Sequence, residues 1–202
     1  MKKLLTVGLA AALVMLFSFD ASAQMSVNKG LKGGLNFASF SLDPEPEGAS
    51  TSSQTGVAGG LFIELDLLGP LDIQVEGLFS QKGSKFKSDA GGESTTKLTY
   101  LEVPVLAKIS IPLAPTMSYN VHAGPALGFK LSESFDPEVN SDQDFFKSSD
   151  LGAVVGLGLK FNALVSFVTI DARYTLGLSN VSDSDTGEAK NRSLTLLVGL
   201  GF

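Results

Sequence analysis

The sequence predicts an all-β fold, an eight-stranded, antiparallel, up-and-down transmembrane β-barrel, on three observations. The last ten residues alternate without a break: Leu194, Leu196, Val198, Leu200 and Phe202 on one face, Ser193, Thr195, Leu197, Gly199 and Gly201 on the other. A strand presents every second residue to the same side, so this stretch is one greasy face backed by a small, partly polar one. Helical periodicity is missing beyond the N-terminal segment, and the chain's 22 glycines are scattered through the apolar stretches, where each disfavours a helix by about 1 kcal/mol relative to alanine. Similar alternating segments recur along the chain, separated in strict rotation by short turns and long polar loops.

The N-terminal segment is of a different kind. Lys2 and Lys3 precede an apolar run from Leu4 to Phe19, and Asp20-Ala21-Ser22-Ala23 follows. Small residues at Ala21 and Ala23 fit a signal-peptidase site, so residues 1–23 are expected to be a signal peptide cleaved after Ala23. The run is short for a membrane anchor and breaks straight into the cleavage signal. Residues 24–202 are then the barrel domain. Losing Lys2, Lys3 and Asp20 moves the net charge from −6 to −7. That balance disfavours nucleic acid, which rewards basic surfaces. There is no cysteine, so neither disulfides nor a lipidated thiol at position 24 holds the exported chain. No later run of about 18 apolar residues exists, which excludes a spanning helix.

The strands follow in order. The first, Leu31 to Phe40, turns Leu31, Gly33, Leu35 and Phe37 outward; a Pro-, Ser- and Thr-rich loop covers Ser41 to Gln54. The second, Thr55 to Asp66, presents Val57, Leu61, Ile63 and Leu65, and ends at the turn Leu67-Leu68-Gly69-Pro70, whose Gly and Pro are turn chemistry. The third, Leu71 to Ser84, sets Leu71, Ile73, Val75 and Phe79 against Asp72, Gln74, Glu76 and Ser80; a polar loop around Gly91-Gly92 covers Lys82 to Thr96. The fourth, Lys97 to Ile111, faces outward with Leu101, Val103, Val105, Ala107, Ile109 and Ile111, and turns at Pro112 to Thr116. The fifth, Met117 to Leu131, precedes an acidic loop, Ser132 to Ser149. The sixth, Asp150 to Phe161, turns at Asn162-Ala163-Leu164. The seventh, Val165 to Ser179, sets Val168, Ile170, Ala172, Tyr174 and Leu176 against Thr169, Asp171, Arg173 and Thr175, and a loop from Asn180 to Asn191 leads to the closing strand.

Sidedness decides the solvent. A soluble up-and-down barrel points its apolar face inward. Here one face is almost wholly apolar, while the other carries Lys32, Glu64, Asp72, Glu76, Glu102, Lys108, Lys130, Lys160, Asp171 and Arg173 among glycines. Eight strands enclose little volume, so bulky side chains at every inward position would overfill it. Against lipid, a Lys or Arg at mid-depth costs on the order of 2–4 kcal/mol. The charges therefore go inside and the Leu, Val, Ile and Phe face hydrocarbon. Each segment supplies the roughly 9–11 residues a tilted membrane strand needs. Long loops at one end and short turns at the other complete the pattern of membrane barrels.

Four short motifs carry a resemblance: Tyr100-Leu101-Glu102-Val103-Pro104; Gly124-Pro125; Asp171-Ala172-Arg173-Tyr174 running into Gly177-Leu178; and the ending Val198-Gly199-Leu200-Gly201-Phe202. On these the chain resembles the PorT-like family of bacterial outer-membrane β-barrels, also described as outer membrane protein β-barrel domain proteins. The resemblance implies an exported barrel in the outer membrane, with lipid as its surroundings and the barrel-assembly machinery as its partner during insertion. In it, Phe202 is the insertion signal. One branch of the family is linked to protein secretion, which makes a secretion complex or a surface ligand of the loops a candidate partner.

No residue pattern points to a cofactor. Glu76, Glu102, Lys108, Asp171 and Arg173 are expected to form an interior ionic network, since buried charges must pair or cost several kcal/mol each; a gate or proton path is the other reading of Glu102 and Arg173. His122 is the one histidine. Ser118, four residues back on the same face, is about 13 Å away at strand rise, beyond the contact that nucleophilic catalysis requires. The acidic residues Asp136, Glu138, Asp142 and Asp144 match no calcium-loop spacing, and no metal site is expected. Gly156-Leu157-Gly158 lacks the helix and third glycine of a dinucleotide site. The expectation is a non-enzymatic integral barrel with a filled polar lumen and four long exposed loops; a membrane-embedded lipid or peptide hydrolase and a narrow pore are the alternatives.

Overall fold

Alternation over eight segments, each feeding the next through a turn, closes on itself. In the computed structural model the chain is a closed barrel in which β1 to β8 pair in sequence order, all antiparallel, and β8 pairs back to β1. The structure describes residues 26–43, 49–67, 69–88, 93–136, 146–181 and 188–202. The strands are β1 (Ser26–Asp43), β2 (Ala49–Asp66), β3 (Leu71–Ser88), β4 (Glu93–Ala114), β5 (Met117–Asp136), β6 (Ser149–Asn162), β7 (Phe167–Gly177) and β8 (Glu188–Gly201). The expected signal segment lies outside the described residues, as do Glu138, Asp142 and Asp144.

Turns at one end are tight. Leu67 donates its amide to the Leu71 carbonyl at 3.0 Å, with Gly69 in the left-handed region at φ +68°, where a side chain would be strained. Ala163 donates to Ser166 at 2.7 Å across the β6–β7 turn. At the seam, Lys29 and Phe202 exchange both backbone hydrogen bonds, at 3.1 and 2.9 Å, so pairing continues through the final aromatic residue. Closure leaves no sheet edge to be exposed to hydrocarbon.

The faces divide as their parity requires. Leu31, Val57, Phe79, Val105, Ile109, Val121, Leu157, Ile170, Leu196 and Leu200 are exposed on the outer wall. Lys32, Glu64, Asp72, Glu76, Lys108, His122, Asp171 and Arg173 are buried inside. Among the described residues, apolar packing inside comes in groups: Ala58, Leu78 and Leu197; Leu106, Ala126 and Val154; the ring pair Phe62 and Phe167; and a larger one of Phe40, Leu98, Tyr100, Val181 and Ala189 with Phe146 against it.

Strand ends differ from the sequence expectation. Strands β1 to β5 run 18 to 22 residues, about twice the membrane requirement, while β6 to β8 run 11 to 14. Much of what composition marks as loop is paired strand: Thr51, Ser52 and Ser53 pair with Phe86, Lys85 and Ser84, and Ser94 to Lys97 pair with Phe86 to Gly83. Strand extensions beyond the membrane meet water on the outside, so they need no apolar alternation, and Thr suits a strand through its branched Cβ. In the other direction, the expected seventh strand loses Val165 to the preceding turn, where it is 87% exposed.

Spin labels placed singly at Val103 and Val105 are expected to report hydrocarbon, and a label at Ser118 to report none. Leu196→Arg, on the lipid face of β8, is expected to destabilise the barrel by about 2–4 kcal/mol if it lies near the bilayer midplane, read by urea unfolding in lipid vesicles.

Candidate functional site

The lumen holds the chain's concentrated chemistry, and inward parity on every strand puts it there. At mid-height Glu76 on β3 is the hub. Arg173 on β7 grips it with two guanidinium nitrogens, at 2.6 and 3.1 Å, and Lys32 on β1 donates to it at 3.1 Å. Gln74 also donates to this carboxylate. Lys32 bridges onward to Asp171 at 2.6 Å, and Asp171 lies 3.7 Å from Arg173. The bidentate fork fixes the carboxylate in orientation as well as in charge.

A second tier lies toward the short-turn end. Glu64 on β2 receives Lys108 from β4 and, at 2.8 Å, Lys160 from β6. Lys108 also donates to Gln74 at 2.9 Å, so Gln74 joins the two tiers. Phe62 and Phe167 line this level, with the Lys32 and Lys160 ammonium groups 5.0 and 4.1 Å from their ring centres, a favourable arrangement of charge on an aromatic face. Glycines on β6 leave room for the inward side chains of β5 and β7 beside the hub. A Cβ at Gly158 would meet the Asn120 amide at 2.7 Å, and one at Gly156 would meet the Arg173 Cβ at 2.9 Å.

Above the hub, Lys82 pairs with Glu102 at 2.5 Å and sits 5.6 Å from the Tyr100 ring centre. Asn191 donates to Asp150 at 2.7 Å and to the Tyr100 hydroxyl at 3.5 Å. The apolar group around Leu98 and Tyr100, both fully buried, then caps the lumen, with Phe40 and Phe146 stacked at 5.4 Å between ring centres.

Of the five residues picked out from sequence, the structure brings Glu76, Asp171 and Arg173 into one cluster. Lys108 stands in the neighbouring tier with Glu64, and Glu102 stands apart with Lys82. Sequence reasoning named Lys32, Glu64 and Lys160 as inward but not as partners, and it missed Lys82 because that residue fell in an expected loop. His122 is buried, its Nδ1 2.9 Å from the Asn120 side-chain oxygen. At the short-turn end Glu64, Asp66 and Asp72 bring carboxylate oxygens within 4.8 Å of one another. The protein's own donors already engage them: Asn28 on Asp66 at 3.1 Å, Ser110 on Asp72 at 2.7 Å, and the two lysines on Glu64.

Residues 22–183 match the family model described as outer membrane protein beta-barrel domain. The chain belongs to this family. It is an outer-membrane β-barrel, and the solved structures it is similar to agree in fold. Neisserial surface protein A (NspA) is 14% identical, with 89% of this chain and 100% of that one covered at a TM-score of 0.53. OprG from Pseudomonas aeruginosa is 14% identical, with 90% and 98% covered at a TM-score of 0.47. No curated protein matches the chain in sequence.

The expectation that this outer-membrane barrel is not an enzyme is corrected by the same comparison. Similar structures include the outer membrane protease OmpT from Escherichia coli, 8% identical over 90% of this chain and 98% of that one at a TM-score of 0.49. They also include the outer membrane enzyme PagL, 14% identical over 86% and 98% at a TM-score of 0.38.

Glu76→Leu is expected to cost about 3–5 kcal/mol, because it strands Arg173 and Lys32 as buried charges. Glu102→Gln, which leaves the buried Lys82 ammonium with an uncharged acceptor, is expected to cost about 1.5–3 kcal/mol. The double variant Glu76→Leu with Arg173→Leu should be less destabilised than the sum of its singles. Urea unfolding in detergent, followed by the gel-mobility shift of folded barrel, measures all of these.

Proposed function

We propose that this outer-membrane barrel is of the PorT-like kind, with a sealed lumen, and that it meets other molecules through the strand extensions and loops at the long-loop end. The observation that supports this reading is the filled lumen. Cross-linked charges of the Glu76 and Glu64 tiers occupy its middle, and the Tyr100 group closes it above. A barrel plugged in this way has its free surfaces at the ends and on the lipid-facing wall. Extensions of β1 to β5 beyond the membrane requirement supply the larger end. Residues that carry the PorT-like resemblance lie in this plug: Tyr100 in the cap, Glu102 with Lys82, Asp171 with Lys32, and Arg173 with Glu76. The role consistent with them is a structural one, or binding of a surface ligand or a secretion partner by the loops.

In the same reading, residues 1–23 direct export and are removed after Ala23. The barrel-assembly machinery then recognises the β8 strand with Phe202. Lipid surrounds the wall, and nucleic acid is not a partner.

Purified protein in planar bilayers is expected to show no steady conductance steps. Steps in the unmodified protein would replace the sealed barrel with a narrow pore. Removing Phe202 is expected to lower the fraction of chain that reaches the heat-modifiable folded form in the outer membrane, while leaving export and processing before Gln24 intact. Crosslinking in intact membranes followed by pull-down tests for a stable partner at the loop end.

A further inference from the structure

The apolar belt on the outer wall is taller on one side of the barrel than on the other. On β1 the outward positions run Lys29, Leu31, Gly33, Leu35, Phe37 and Ser39, and on the neighbouring β8 they run from Arg192 through Leu194, Leu196, Val198 and Leu200 to Phe202. Register sets Ser39 opposite Arg192, and Lys29 exchanges hydrogen bonds with Phe202. The two strands thus share one polar level above and one charged position below. At a rise of about 3.4 Å and a tilt near 40°, the strand between Ser39 and Lys29 climbs about 25 Å. That equals the roughly 25 Å apolar band of an outer-membrane barrel.

The opposite side is different. In a ring of eight, β5 stands across from β1. Its outward series is Met117, Tyr119, Val121, Ala123, Pro125, Leu127, Phe129 and Leu131, without a charge, and by the same conversion it climbs about 35 Å. Outward positions from Ser149 to Phe161 on β6 and from Val168 to Leu178 on β7 are likewise uncharged. Apolar side chains overhang at both ends of this wall. Leu131 and Leu178 are exposed above; Leu113, Leu164 and Val165 are exposed below, in the β4–β5 and β6–β7 turns. These two turns lie together, Asn162 donating its amide to the Thr116 carbonyl at 2.8 Å. No charged residue occurs from Ile109 to Val121 or from Phe161 to Ile170, whereas Asp66 and Asp72 flank the β2–β3 turn.

A bilayer of one thickness cannot match both walls. Tilting the barrel lowers one wall as it raises the other, and lengthens neither. Thickening the bilayer on one side costs free energy with every ångström of mismatch, and leaving the overhang in water forfeits its burial. The remaining solution is a neighbour with the same excess at the same height. A second copy related by a two-fold axis along the membrane normal has it by construction. Such an interface is isologous, so it sets the β5–β6 wall against itself, Leu131 level with Leu131 and Leu164 level with Leu164. At mid-depth Ala107 stands opposite Ala123 and Pro125 opposite Ala153, and short side chains favour close packing in lipid. No outward charge on the wall opposes the approach.

We propose that the barrel pairs with a second copy of itself inside the membrane through the β5–β6 wall, driven by the apolar overhang at its two ends. This uses the membrane placement alone and holds whether or not the lumen is sealed.

The chain has no cysteine, so single cysteines report contact without background. Leu127 on β5 and Leu151 on β6 are partners in register, as are Leu35 on β1 and Leu196 on β8. After oxidation in intact outer membranes, Leu127→Cys and Leu151→Cys are expected to give a band at twice the chain mass, and Leu35→Cys and Leu196→Cys to give none. Adding Leu131→Ser and Leu164→Ser to Leu127→Cys removes overhang without altering the wall in lipid, and should lower the cross-linked fraction about tenfold. Vesicles of longer acyl chains, thicker by about 10 Å, should lower it as well for the purified Leu127→Cys chain, because they cover the overhang. Gel-mobility shift confirms that each variant is folded. Equal cross-linking on the two walls, none on the β5–β6 wall, a product of another mass, or a fraction unmoved by the serine pair and by bilayer thickness would each overturn the proposal.

Discussion

Hydrocarbon accepts neither an unpaired backbone amide nor an unpaired charge, and this double exclusion organises the molecule. The first half forces closure: every strand must have two neighbours, so β8 has to find β1. The second half forces sidedness, because a slip of one residue in any strand would turn its charges to lipid and its leucines to the lumen. Both conditions are met together by a sequence that alternates in step on eight strands. The outer wall then costs nothing to solvate, and the difficult problem moves inside.

Inside, the solution is electrostatic rather than hydrophobic. Among the described residues, apolar packing within the barrel comes in small groups and a cap, whereas Glu76 alone engages side chains from β1, β3 and β7. Glu64 likewise ties β2 to β4 and β6. Apart from Gln74, which sits on Glu76's own strand, these contacts join strands that are not neighbours in the sheet, so each carboxylate acts as a brace between walls. Removing one member of such a set leaves the remainder buried and uncompensated, which makes the set cooperative.

Parity was the readable part. Leu101, Val103 and Val105 against Tyr100, Glu102 and Pro104 is a pattern that needs only the period of a strand, and it sorted lipid from lumen before any pairing was known. Partnership was not readable. Which inward residues meet depends on the stagger between strands and on closure, so nothing in the sequence put Glu76 of β3 beside Arg173 of β7. Lys82 was lost for a different reason: Ser- and Thr-rich strand above the membrane has polar residues on both faces and reads as loop. That same extension of β2 and β3 hides a bulge at Gln54–Val57, since a one-residue surplus leaves no compositional trace.

The seam between Lys29 and Phe202 has a consequence for how the barrel comes into being. It joins the first strand to the last, so the contact that completes the cylinder spans almost the whole barrel sequence and carries the largest loop-closure entropy of any pairing. Until it forms, β1 and β8 are both open templates for a foreign strand. A chain built this way gains little from folding early and is exposed to mispairing throughout transit. Its safe passage depends on being kept extended until a membrane is at hand to reward the final closure.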